Sequence, residues 1–71
     1  MQQLYAEIKK SSKYAHQAVQ AQRQGMPYPF QVHIEDDKDG YVVLGGYGGR
    51  YRLEDVDLFV IDEQGRKVRI N

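Results

Sequence analysis

The chain has no cysteine and no tryptophan, no threonine, and only two serines, Ser11 and Ser12. Without thiols it can build neither a disulfide nor a thiolate zinc site, so its fold must rest on packing, or on packing plus a partner. With so few hydroxyls it cannot readily set a nucleophile against a base. His16 falls on the polar side of a helical stretch and His33 on the outward face of a strand, and neither has a partner at ligand or general-base spacing. No window approaches the roughly 18 consecutive apolar residues of a membrane span, and the opening MQQLYAEIKK lacks the basic-then-apolar order of a signal peptide. These absences set the expectation of one small cytoplasmic domain that is not an enzyme, carries no cofactor or metal, and does not associate with a membrane.

What is present is 71 residues with ten basic and ten acidic side chains. The charges cancel overall but not locally. Residues 1–24 hold Lys9, Lys10, Lys13 and Arg23 against Glu7, whereas residues 25–71 carry an acidic excess. A basic helix beside an acidic sheet is one reading, and a basic arm for an acidic partner is the other. Net neutrality also removes the self-repulsion that keeps small proteins apart.

On a helical wheel Met1, Leu4, Tyr5, Ile8, Ala15, Val19 and Met26 share one stripe with Lys9, Lys10 and Lys13 opposite, which predicts an amphipathic helix over residues 1–25. Gly25 and Pro27 mark its end. Pro27-Tyr28-Pro29 makes residues 26–29 an extended linker. From residue 30 onward the pattern is that of an antiparallel sheet: Phe30, Val32 and Ile34 alternate with polar residues, a turn over 37–40 ends in Gly40, and Tyr41 to Leu44 returns. A three-residue hairpin loop there puts Val42 and Leu44 on the core face and Tyr41 and Val43 on the other, and a slip of one residue reverses this. Arg50 to Leu53 reads as a short strand and Val56 to Ile61 as the strongest one. The turn at 62–65 then sets Val60 opposite Val68 and Leu58 opposite Ile70.

Three stretches invite a chemical reading. The run 35–40, with acids at alternate positions and Gly40, resembles the start of a calcium loop, but Glu35 stands where Asp is needed and Gly46 where a bidentate Glu is needed, so it reads as a hairpin turn. The cluster Gly45-Gly46-Tyr47-Gly48-Gly49 fits no phosphate-loop spacing and reads as a bend. Tyr47, Arg50, Tyr51 and Arg52, with Arg66 on the last hairpin, interleave aromatics and cations as single-strand nucleic-acid binders do.

A helix followed by a bent sheet of four or five short strands resembles in outline the small Sm-like and SH3-like barrels, although residues 41–61 carry none of the Sm-type glycine and asparagine signatures. The sequence therefore predicts an α+β fold: one N-terminal helix on a four- to five-stranded antiparallel sheet, open or curled into a small SH3-like barrel. The function expected is that of a small non-catalytic protein-binding module, an adaptor, modulator or inhibitor. Its surface would be an exposed patch of Tyr41, Val43, Phe59 and Ile61 rimmed by Lys67, Arg69 and Glu35. The partner would be another protein or a second copy of the chain. Nucleic acid, met by Tyr47, Arg50, Tyr51, Arg52 and Arg66, is the alternative.

Overall fold

A computed structural model describes residues 3–38 and 40–71. Met1 and Gln2 of the expected helix, and Asp39 of the first expected turn, lie outside the described residues. The elements run β1 (Leu4–Ile8), α1 (Ala15–Arg23), β2 (Phe30–Asp37), β3 (Gly40–Gly45), β4 (Arg50–Arg52), a 3-10 turn over Leu53–Asp55, β5 (Val56–Ile61) and β6 (Lys67–Arg69). The α+β class holds, with one helix and a six-stranded antiparallel sheet in place of four or five strands.

The extra strand comes out of the expected helix. Leu4, Ala6 and Ile8 satisfy a period of two as well as they satisfy a helical stripe, and here the strand period wins because β1 finds partners on both sides. Ser11 and Ser12 then break the segment. The Ser12 hydroxyl accepts the Tyr14 backbone N–H at 3.0 Å, a local bond of the kind that competes with helix. Only Ala15–Arg23 becomes helical, and its buried contact is Ala21. The end is as the sequence indicates: Gly25 has φ +78°, its N–H donates to the Gln22 carbonyl, and the Met26 N–H reaches back to Ala21. That pair of bonds is a Schellman motif, and Met26 packs on the core beside it. The linker does more than span. Tyr28 accepts the Ile8 N–H on its hydroxyl at 2.9 Å, so it fixes the end of β1, and the Tyr28-Pro29 bond is cis.

The strand order is β4-β3-β2-β1-β5-β6. In a flat sheet β4 and β5, four places apart, would be separated by about 19 Å, yet only Leu53–Asp55 joins Arg52 to Val56, a reach of at most about 14 Å. The sheet must therefore curl. It does so without closing, since among the described residues its end strands, β4 and β6, are not hydrogen-bonded to each other. The helix lies on the inner side, over a core of Ala6, Ile8, Phe30, Val32, Val43, Tyr51, Val56 and Leu58.

Register corrects one expected facing. Asp37 pairs with Gly40, a loop one residue shorter than the sequence analysis allowed, and Ile34 pairs with Val43. Val43 is therefore inside, with no exposed surface, and Tyr41 shares its face at the exposed end of the strand, while Val42 and Leu44 lie on the opposite face, where Val42 is nonetheless buried. The last hairpin pairs as expected, Val60 with Val68, and the Ile70 N–H donates to the Leu58 carbonyl. Its turn is tied by Asp62, which accepts the N–H groups of Gln64 and Arg66. The Arg66 backbone bond is the main cause holding the Asp62 carboxyl below the usual range.

Candidate functional site

The structure separates the residues of the expected apolar patch. Phe59 and Ile61 face outward, Tyr41 and Val43 inward, so the four form no common surface. Phe59 is itself only 8% exposed. The ammonium of Lys67 lies 4.6 Å from its ring centroid and pairs with Glu7, and Arg69, directly opposite Phe59, sits 3.1 Å from Asp57. The expected rim has become a roof. Glu7 and Asp57 are directly opposite on β1 and β5, a like-charge pair that would repel without the two cations.

The residues of the alternative set also divide. Tyr51 is buried: its ring stacks on Phe30 with centroids 6.5 Å apart and meets Tyr14 edge-on, and its hydroxyl donates to Gln17 and accepts the Gly48 N–H. Burial pushes that hydroxyl above its ordinary pKa, the Gly48 bond opposing. Such a tyrosine shapes the glycine loop and offers no face to a base. Gly46 is required there, since a Cβ would come within 2.8 Å of the Phe30 ring. Tyr47 is exposed, with its hydroxyl 3.3 Å from Nε2 of Gln24, the residue that follows α1. Arg66 is held by Asp62 in the turn beyond β5, away from Arg50 and Arg52 on β4.

What the fold does assemble lies along β4. Because Tyr51 turns inward, Arg50 and Arg52 turn outward, where Arg50 meets Asp37 at 2.7 Å and Arg52 meets Glu54 at 3.3 Å. Tyr41, at the start of β3, is 62% exposed, and Leu53 follows β4 at 36%. With Tyr14 at the entry to the helix these side chains line an open cleft of about 770 Å³. One side of β4 pairs with β3, and among the described residues no strand pairs with the other, which is a free sheet edge. Tyr41, Arg50 and Arg52 were legible as candidates, though in different sets. Tyr14 and Leu53 were missed, because they reach the cleft only through the break at Ser11-Ser12 and the 3-10 turn.

No protein-family model, curated protein or solved structure matches the chain. Among the described residues no group of His, Cys, Asp and Glu is arranged to hold a metal ion, and no helix is long and apolar enough to cross a membrane.

Proposed function

We propose that the chain is a non-catalytic protein-binding module whose working surface is the cleft beside β4. The observation that carries this reading is the meeting of exposed Tyr41 and Leu53 with Arg50 and Arg52 at an unpaired sheet edge. Tyrosine and arginine are among the side chains most enriched at the energetic centres of interfaces. A free strand edge offers backbone donors and acceptors to an extended segment, and neighbouring side chains select it. The cleft is open, which suits a chain laid across it better than an enclosed small molecule. The surface thus differs from the sheet face that the sequence suggested.

Selection of a phage-displayed random dodecapeptide library on the folded protein tests the proposal. Binders should emerge whose affinity falls at least tenfold in Tyr41→Ala/Leu53→Ala, a variant confined to exposed side chains. Binders indifferent to that variant would place the working surface elsewhere.

A further inference from the structure

The cations beside the cleft are unequally neutralised. Arg50 and Arg52 each face a carboxylate, whereas among the described residues none lies within 4.0 Å of Lys9, Lys10 or Lys13. Elsewhere on the sheet the chain pairs its cations, Arg66 with Asp62, Lys67 with Glu7 and Arg69 with Asp57. The three lysines belong to the segment between β1 and α1, and the backbone ties that segment to the cleft. The Lys9 N–H donates at 2.9 Å to the carbonyl of Asp55, which ends the 3-10 turn whose Leu53 and Glu54 line the cleft. The Lys13 ammonium lies 5.2 Å from the ring centroid of Tyr14, part of the cleft lining. Arg23 and Lys38 also have no carboxylate within 4.0 Å among the described residues, but Lys9, Lys10 and Lys13 are the unpaired cations that lie together, in the segment tied to one border of the cleft.

Resting on the reading of this cleft as a protein-binding site, we infer that its occupant is an extended acidic segment of another protein. Its backbone runs along the free edge of β4 and its carboxylates meet the lysines of residues 9–13. Peptide is favoured over nucleic acid by three features. Asp37 and Glu54 stand in the same cleft and would repel an unbroken row of phosphates, whereas a peptide can set a neutral or basic residue beside them. The strand edge can be reciprocated by a peptide backbone and not by a sugar-phosphate chain. The ring of Tyr51, one of the two aromatics that the sequence offered for base stacking, is spent in the core. Each exposed lysine contact changes affinity by only a few-fold, so the lysines act as a group, and salt weakens them.

The sequences recovered from the peptide selection decide the matter. They should be rich in Asp and Glu. When synthesised and titrated by fluorescence anisotropy at low salt, they should bind Lys10→Gln/Lys13→Gln about fivefold or more weakly than the parent. Peptides that need Tyr41 and Leu53 but carry no acidic excess and ignore the lysine variant would leave the cleft reading standing and overturn this inference. An empty selection, or peptides indifferent to Tyr41→Ala/Leu53→Ala, would overturn both. A labelled oligo-dT of matched length, bound more tightly than any selected peptide and weakened in the lysine variant, would overturn it in favour of nucleic acid.

Discussion

Gly46→Ala should be the most informative single substitution in the glycine loop, because two separate penalties fall on one methyl group. Gly46 has φ +78°, where a Cβ costs about 1–2 kcal/mol. The new Cβ would also lie 2.8 Å and 3.0 Å from two atoms of the Phe30 ring and 3.2 Å from the Tyr51 ring, against an unstrained carbon separation of about 3.5–4.0 Å. Phe30 has little freedom to retreat, since Tyr28 meets it edge-on at 5.0 Å and Tyr51 stacks on its face. Overpacking of this kind adds about 1–3 kcal/mol, for a total near 2–5 kcal/mol. Gly49 supplies the control: its φ is +79°, but nothing lies within 4 Å of the Cβ position, so Gly49→Ala carries the backbone term alone. At about 4–8 °C per kcal/mol for a domain of this size, Gly46→Ala should melt roughly 5–20 °C below Gly49→Ala. Circular dichroism melts of the two variants, repeated in urea, measure the gap. Equal midpoints would mean that the loop does not close on Phe30 and that the account of its glycines is wrong.

Tyr51→Phe should lower stability by about 1–3 kcal/mol, because the Gly48 N–H loses its acceptor and Gln17 its donor, as urea titration would show. Tyr28 and Tyr51 both hold their protons above the ordinary value of 10.0, chiefly through burial, so the folded state binds more protons than the unfolded one there. Their contribution to stability should be level below pH 10 and fall as the pH rises beyond it, less steeply in Tyr51→Phe. At the acid end Asp62 has the opposite sign. Its contribution is present above the ordinary value of 3.8 and is lost as the pH falls through its lowered one, so Asp62→Asn should differ from the parent at pH 6 and converge with it in strong acid. Phe59→Ala should cost about 3 kcal/mol in urea titrations and leave the assembly state by light scattering unchanged, since Phe59 is roofed by Lys67. Altered assembly at unchanged stability would restore Phe59 to an interface.

Sequence pattern was a good guide wherever one period and one set of end signals agreed. Val56, Leu58 and Val60 alternate cleanly and become β5, and Gly25 ends the helix with the bonds its conformation permits. It misled where two periods fitted the same residues. Leu4, Ala6 and Ile8 suit helix or strand, and what decides between them is the presence of β2 and β5 on either side, a fact about the whole sheet. The facing of Val42 and Val43 turned on one residue in a loop, because a strand shows alternate residues to opposite sides. The cleft is the least legible feature. Arg50, Arg52 and Tyr41 could be named, but their meeting with Tyr14 and Leu53 follows from a curl that no local pattern encodes.

The position of β1 has a consequence for how the molecule comes into being. Among the described residues two blocks, β2-β3-β4 and β5-β6, are hydrogen-bonded into one sheet through this five-residue strand, with Tyr5 set against Gln31 on one side and Phe59 on the other. During synthesis Leu4–Ile8 is made before Val56–Ile61 and must wait for it, so its second edge stays open until β5 has been made. Long-range pairing of this kind is slow, and an open apolar edge is where chains join to one another. Whatever covers that edge in the meantime should raise the yield of native molecules without altering the finished fold.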